Sequence, residues 1–215
     1  FLNWRRHSIA HDFNGDVKEF KQNNPLTPEE AVQVTGDTRF NQEKLDAMQI
    51  EQGRVGMLRQ SEAWDRKITF APDPGELLTV YRDPIKGHKY AVGVDTSEGL
   101  LDQAGKNPDA SVIVVLDIDN GGQQVACYAG QVSEEFLVAP LLMIASWYNM
   151  AYCVIESNST GKHVAIEMGK VYDHNKLFHR MDDEPGRGRS EQIGWRTTSG
   201  NRNILISNFA SALED

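Results

Sequence analysis

The fold of this chain is predicted chiefly from the stretch Tyr90-Ala-Val-Gly-Val-Asp95-Thr-Ser-Glu-Gly99. Its apolar part is short and rich in β-branched residues, which favours a strand that is covered on both faces. Asp95 stands where the apolar run stops, and the chain turns polar directly after it. A carboxylate at that place costs desolvation energy unless it is paired or holds a cation, so Asp95 is a candidate functional residue.

Three further apolar runs follow this strand, in an order that predicts a mixed sheet. The runs at 111–117 and 124–130 are separated by Asn120-Gly121-Gly122, a hairpin signal, so we expect them to be antiparallel neighbours. A helix that begins after Ser133 leads to the fourth run, which ends on Glu156. Because a helix connects them, the first and fourth strands can be adjacent and parallel.

The bulk composition is that of an ordinary globular protein. Of the 215 residues, 40% are hydrophobic and 25% are charged. A chain of this length can bury a substantial core. The net charge of -9 argues against a generally basic nucleic-acid binder, although it leaves a local basic face or a metal-bridged contact open. Cys127 and Cys153 lie in strand candidates and are expected to be buried, reduced thiols, and no apolar run is long enough for a membrane span.

The N-terminal part of the chain predicts a small helical segment ahead of the sheet. Helices are expected at 27–36, where Thr27 is a capping residue and Gly36 a stop, and at 41–52, where Gly53 is the stop. The turn cluster Pro72-Asp-Pro-Gly75 marks a plausible boundary. We therefore predict a linker or helical appendage at 1–75 and an α/β domain at 76–215.

Asp95 and Glu156 together predict a metal site. If their strands are parallel neighbours, both carboxylates lie at one edge of the sheet, where ligands bind in open α/β folds. Two carboxylates so placed repel each other unless a divalent cation neutralises them, and oxygen ligands suit Mg²⁺ or Mn²⁺. Two such ions about 4 Å apart are the apparatus of in-line phosphodiester hydrolysis. Asp109 is a weaker third candidate, and each acid taken alone is better explained as a turn residue.

A basic group near the acids is a candidate for contact with a phosphate backbone. Lys162 lies at the start of the helix that follows the fourth strand, where it could reach a phosphate. The loop-like segment at 180–202 contributes the arginines Arg180, Arg187, Arg189, Arg196 and Arg202. A solvated loop explains this segment equally well, because Asp182, Asp183 and Glu184 dilute its charge.

In their order and spacing, these motifs resemble the nuclease domain of the large terminase subunits of tailed bacteriophages. The matching stretches are Tyr90-Ala-Val-Gly-Val-Asp95-Thr-Ser-Glu-Gly99, Asp109-Ala-Ser-Val-Ile-Val-Val-Leu-Asp117, Trp147-Tyr-Asn149, Val154-Ile-Glu156-Ser-Asn158 and Gly194-Trp-Arg-Thr197. Asn24-Pro-Leu-Thr-Pro-Glu-Glu-Ala31 resembles the segment that such proteins carry between their ATPase and nuclease domains. The resemblance extends from about residue 20 to the end of the chain, and no single motif is decisive.

The resemblance implies a ribonuclease H-like α/β fold, with a mixed five-stranded sheet flanked by helices. It implies cleavage of double-stranded DNA during genome packaging in the host cytoplasm, with two Mg²⁺ or Mn²⁺ ions bridged by Asp95 and one of them also bound by Glu156. An ATPase domain, a portal protein and a small terminase subunit are the implied partners. The family's third acid, from a later helix, has no match before Asp215, and the phosphate-loop pattern of the ATPase is absent, so a C-terminally truncated nuclease domain is expected.

Other interpretations stay open at this point. Gly93-Val-Asp95-Thr-Ser97 followed by a hairpin also resembles the first phosphate motif of actin-like and sugar-kinase-like ATP-binding domains. No second domain with its own phosphate and adenosine motifs is visible, and Glu156 at the end of the fourth strand fits a nuclease better. A non-catalytic module that docks DNA, portal or capsid proteins, and another ribonuclease H-like enzyme such as a resolvase or transposase, are the further alternatives.

Overall fold

The computed structural model describes residues 2–12, 17, 20, 40, 42–47, 51–97, 109–184 and 188–214. The chain divides into two compact units, one formed by Phe1–Met48 with Asn203–Asp215 and the other by Gln49–Arg202. The N-terminal part of the first unit contains helices α1 (Leu2–His11) and α2 (Gln42–Ala47). The second predicted helix is therefore found over a shorter range, whereas the one predicted at 27–36 lies outside the described residues.

The second unit is built around a mixed sheet of seven strands. In chain order these are β1 (Arg54–Gln60), β2 (Ile68–Pro72), β3 (Leu78–Val80), β4 (Tyr90–Asp95), β5 (Ser111–Asp117), β6 (Gln123–Gly130) and β7 (Tyr152–Ile155). A separate hairpin consists of β8 (His179–Glu184) and β9 (Gly188–Ile193). The remaining described α-helices are α3 (Glu134–Trp147), α4 (Gly161–Val171) and α5 (Ser199–Glu214), of which α5 continues into the first unit, and two short 3₁₀ helices lie at Ile118–Asn120 and His174–Lys176. Within the described part of the chain, no helix is long and apolar enough to cross a membrane.

The strand order confirms the predicted fold class. The sheet runs β2-β1-β3-β6-β5-β4-β7, and every neighbouring pair is antiparallel except β4 and β7. Strands β4, β5 and β6 are consecutive antiparallel neighbours, and β7 returns parallel to β4 after helix α3, which is the ribonuclease H-like arrangement. The sheet has seven strands and not the five predicted, because β1, β2 and β3 extend it beyond β6, while beyond β7 the described part of the chain forms only the isolated bridges Cys153–Leu177 and Glu156–Trp195. The boundary predicted at 75/76 falls within this sheet, between β2 and β3.

One face of the sheet packs against α3 and α4 to form the hydrophobic core. The strands contribute alternate residues, such as Val92, Ile113 and Ile155, which are at most 1% exposed. The helices contribute fully buried residues such as Leu141 and Met168. Each side chain of this kind stabilises the fold by about 1.5–3 kcal/mol on leaving water.

Polar contacts hold the loop before β4 in place. The hydroxyl of Tyr148, directly after α3, donates to the carbonyl of Arg82 at 2.8 Å, and Asn149 Nδ2 donates to the carbonyl of His88 at 3.0 Å. The imidazole Nδ1 of His88 lies 2.9 Å from Oδ2 of Asp117, whose side chain is only 2% exposed. This network holds the start of β4 against the end of β5.

Candidate metal centre

The site is built at the ends of two parallel strands. Val94 of β4 pairs with Ile155 of β7, and the amide of Glu156 donates to the carbonyl of Val94 at 2.9 Å. Asp95 and Glu156 are the next residues along these strands, so their side chains project from the same face of the sheet, opposite to the core. Because neighbouring strands lie about 5 Å apart, the two carboxylates are placed side by side.

The two carboxylates repel each other. Desolvation raises the pKa of Asp95 above its ordinary value of 3.8, and the charge of Glu156 and a hydrogen bond shared with it raise this pKa further. Asp109 adds a smaller contribution in the same direction. Although Asp95 lies at the surface, its neighbours withdraw the carboxyl group partly from water. A cation bound between the two acids would relieve this repulsion.

Asp109 lies at the same edge of the sheet, just before β5. The hydroxyl of Ser97 donates to the carbonyl of Asp109 at 2.7 Å, and the Ser97 amide donates to Oγ of Ser111 at 3.0 Å. Ser111 is fully buried and donates in turn to the carbonyl of Val132. These bonds hold the segment after Asp95 against the start of β5. Among the residues that the structure describes, no group of three or more His, Cys, Asp or Glu side chains is arranged to hold a metal ion.

Helix α4 begins directly behind Glu156, and glycine is required at its first position. A Cβ on Gly161 would lie 1.7 Å from the carbonyl oxygen of Glu156 and 2.9 Å from Oγ1 of Thr96. The hydroxyls of Thr96 and Thr160 meet at 3.0 Å, which ties the residue after Asp95 to the residue before α4. The ends of β4 and β7 and the start of α4 therefore form one closely packed corner, called the α4 corner below.

Asn158 orients the carboxylate of Glu156, and the sequence analysis missed it. Its Nδ2 donates to Oε1 of Glu156 and to the carbonyl of Thr197, both at 3.1 Å. Trp195 pairs with Glu156 as an isolated parallel bridge, so the segment after β9 runs alongside this acid. The signal was present in Glu156-Ser-Asn158, since asparagine side chains commonly bond to groups within a few residues of themselves.

The structure brings some of the predicted basic residues together and separates others. One polar pocket beside Asn158 is lined by three of these basic residues, Lys162, Arg180 and Arg196. Two other described arginines lie outside this pocket, Arg189 in β9 and Arg202 in the first turn of α5. Arg187 lies outside the described residues.

The guanidinium of Arg180 is engaged by the protein itself. Its Nε donates to both carboxylate oxygens of Asp182 at 3.1 Å. Its Nη1 donates to Oγ of Ser157 at 2.7 Å and to the carbonyl of Gly194 at 2.6 Å. These bonds attach the β8–β9 hairpin to the end of β7. We therefore assign Arg180 a role in holding the walls of the pocket.

The donor atoms at the acid pair fit a hard divalent cation. Asp95 and Glu156 offer carboxylate oxygens, and the amide nitrogen of Asn158 is already used in fixing Glu156. Mg²⁺ and Mn²⁺ prefer oxygen ligands, and Mg²⁺ commonly keeps several waters while one or two carboxylates hold it. The residues present therefore suit such an ion without nitrogen or sulfur ligands.

Comparison with known proteins identifies one group of similar structures. No protein-family model matches the chain, and no curated protein matches it significantly. The large terminase nuclease from thermophilic phage G20c with bound zinc is similar at 20% identity and a TM-score of 0.46, over 74% of this chain and 72% of that one. The same nuclease with bound magnesium is similar at 21% identity and a TM-score of 0.45, over 74% of this chain and 66% of that one. The large terminase nuclease domain of Thermus phage P74-26 is similar at 22% identity and a TM-score of 0.44, over 66% of this chain and 60% of that one.

These structural neighbours are large terminase nuclease domains, the family that the sequence motifs resemble. The strand order and the residues of the site are the basis for assigning a function.

Proposed function

We propose that this chain is a metal-dependent endonuclease that cleaves double-stranded DNA during viral genome packaging, by two-metal phosphodiester hydrolysis. The observation that carries the proposal is the placement of Asp95 and Glu156 side by side on parallel strands, with a raised pKa at Asp95. An acid pair at the carboxyl ends of parallel strands is suited to hold divalent cations. The motifs around both acids, which resemble those of phage terminase nucleases, supply the substrate class and the packaging role.

In this proposal Asp95 and Glu156 would hold the Mg²⁺ or Mn²⁺ ions, and Asp109 would assist. When bound, these ions would supply an activated water and neutralise the charge that develops on the leaving oxygen. The role of the protein is to hold its carboxylates in fixed positions. Asn158 fixes Oε1 of Glu156, and the α4 corner fixes the backbone beyond Asp95. Ligands held in this way need little reorganisation during the reaction.

The proposal places the chain within a packaging motor in the host cytoplasm. The family that the motifs resemble joins an ATPase domain to the nuclease and works with a portal protein and a small terminase subunit. We extend this context to the present chain as part of the proposal, with the part of the predicted 1–75 segment that precedes β1 serving in the connection to the ATPase domain.

A second candidate is a non-catalytic module that docks DNA or a portal protein on a nuclease-like scaffold. One observation favours it: among the described residues, no third side chain completes a metal-binding group around the acid pair. The two candidates differ in whether the chain cleaves DNA when a divalent metal is supplied.

Plasmid cleavage separates the two candidates. Supercoiled plasmid is incubated with the chain in Mg²⁺, Mn²⁺ or EDTA, and the nicked and linear products are quantified. We expect products only with metal, and a loss of about 100-fold or more in Asp95→Ala and in Glu156→Ala. Glu62→Ala, which removes an exposed acid between β1 and β2, is the matched control and should cleave at the wild-type rate.

The assay also defines what would refute the proposal. A folded wild-type chain that binds DNA but yields no products in either metal would exclude the nuclease and favour the docking module. Undiminished cleavage by both acid variants would instead show that Asp95 and Glu156 are not the catalytic acids.

A further inference from the structure

A polar pocket of about 360 Å³ opens next to the acid pair. Its walls are the loop that follows Glu156, the first turn of α4, the β8–β9 hairpin and the segment that leads into α5. Asn158 lies on the boundary, because it lines the pocket and also donates to the Glu156 carboxylate. The pocket and the acids are therefore neighbouring parts of one surface.

The pocket carries an excess of positive charge. Lys162 and Arg196 both line it and are exposed, and neither side chain makes a hydrogen bond or ion pair with the part of the chain that the structure describes. Arg180 is neutralised by Asp182 through the paired contacts at 3.1 Å. Two uncompensated cations thus remain beside the hydroxyl of Ser159.

These groups favour a phosphate as the occupant. Lysine and arginine side chains with a neighbouring hydroxyl are the usual partners of phosphate oxygens in protein–DNA contacts. A divalent cation would be repelled by Lys162 and Arg196, and an apolar ligand would leave the pocket's polar groups without partners. Since Asn158 connects the pocket to Glu156, a DNA strand that reaches the acids also passes the pocket.

We propose that this pocket binds the phosphate next to the scissile one on the strand that is cut, with Lys162 and Arg196 as its ligands. The inference rests on the proposed nuclease function and gives the substrate a position in that site. Arg180, bonded to Ser157 and Gly194, holds the β8–β9 hairpin in place as a wall of the pocket.

A substitution at Asp182 is expected to change DNA affinity in the direction opposite to substitutions at Lys162 and Arg196. Lys162→Ala and Arg196→Ala each remove a cation from the pocket, whereas Asp182→Asn removes the anion that neutralises Arg180. If the pocket binds phosphate, the first two substitutions weaken DNA binding and the third strengthens it. A purely structural role for these residues predicts no strengthening in any of the variants.

The experiment is fluorescence anisotropy with a labelled DNA duplex of about 20 base pairs, in Ca²⁺ to limit cleavage and at several salt concentrations. Lys162→Ala and Arg196→Ala should each raise Kd by about 3- to 10-fold and reduce the slope of log Kd against log salt by about 1. Asp182→Asn should lower Kd by about 2- to 5-fold, and Lys162→Arg should retain binding. Lys170→Ala is the matched control, because Lys170 lies on α4 outside the pocket and pairs with Glu167.

The outcomes distinguish failure of the phosphate-pocket proposal from failure of the nuclease proposal. If Lys162→Ala and Arg196→Ala leave Kd and the salt slope unchanged while the wild type cleaves DNA in a metal-dependent way, the phosphate-pocket proposal is refuted and the nuclease proposal is retained. Weakened binding in the same variants without any wild-type cleavage would support a DNA-phosphate site in the pocket, but it would reject the nuclease and with it the position beside a scissile phosphate. A folded Asp182→Asn variant that binds DNA more weakly than the wild type would also refute phosphate binding in the pocket. Thermal denaturation checks folding, and glutamine variants replace any alanine variant that does not fold.

Discussion

Replacing Asp95 by asparagine is expected to stabilise the metal-free protein while preventing metal binding. The side chain keeps its size but loses the charge that repels Glu156. Two unit charges about 5 Å apart repel by about 3 kcal/mol at an effective dielectric constant of about 20, and by about 1 kcal/mol in water. Because Asp95 is exposed, the lower figure applies. The variant should therefore unfold about 2–4 °C higher than the wild type in EDTA at neutral pH.

The pH dependence of this effect follows from the raised pKa of Asp95. The folded protein holds a proton at Asp95 more readily than the unfolded chain, where the carboxyl has its ordinary pKa of 3.8. As the pH rises from that value through the folded pKa, the wild type loses stability, and the loss is complete above the folded pKa. The advantage of Asp95→Asn should thus be full at neutral pH and disappear when the pH falls below 3.8.

Added metal should reverse the order of stability. A ligand that binds only the folded state stabilises it by about 1.4 kcal/mol at ten times its Kd, and the wild type should gain this in Mg²⁺ or Mn²⁺ while the variant gains little. Thermal denaturation followed by circular dichroism, in EDTA and in metal, measures both effects. Glu62→Gln controls for the removal of one negative charge elsewhere. A variant that is less stable than the wild type in EDTA, or that gains equally from metal, would refute the reasoning.

Two further substitutions test the framework around the site. His88→Ala should cost about 1–3 kcal/mol in urea denaturation, because the carboxylate of Asp117, 2% exposed, would lose the imidazole that bonds both of its oxygens. Gly161→Ala should cost about 1–3 kcal/mol and lower plasmid cleavage beyond what the lost stability explains, because the new Cβ would displace the carbonyl of Glu156. Gly200→Ala, where the nearest atom would lie 3.9 Å from the new Cβ, is the control and should leave cleavage unchanged.

Each of these predictions can fail in an informative way. A loss below about 0.5 kcal/mol in His88→Ala would mean that the buried carboxylate finds another partner. Wild-type cleavage by Gly161→Ala would mean that the α4 corner does not determine the position of Glu156.

The central strands were predictable because burial leaves a local pattern. Residues 90–95 and 111–117 alternate between buried positions and partly covered or exposed ones and are almost continuously apolar, so each run indicates a strand by itself. Strands β1 and β2 were harder to place, since most of their side chains are half-covered or exposed and their sequences alternate weakly. They join the central strands only through β3, whose pairing with β6 is a long-range contact that no local pattern records.

The acids of the site were predictable for a similar reason, but their surroundings were not. Asp95 and Glu156 could be identified because each stands where an apolar strand stops. Asn158 reaches Glu156 and a carbonyl far along the chain, so its bonds depend on the fold. The engagement of Arg180 by Ser157 and Gly194 likewise follows from the docking of the hairpin, which the arginine-rich composition does not reveal.

The apolar runs were sufficient to predict which central segments are strands and that two of them end on acids, because strand burial requires an apolar run and a buried charge is costly. The folded chain is needed to see that Asp95 and Glu156 project from the same face of neighbouring strands, and that Lys162 and Arg196 share a pocket beside them. These placements depend on the register between β4 and β7 and on the docking of α4 and the β8–β9 hairpin, and both are set by packing between segments far apart in the chain.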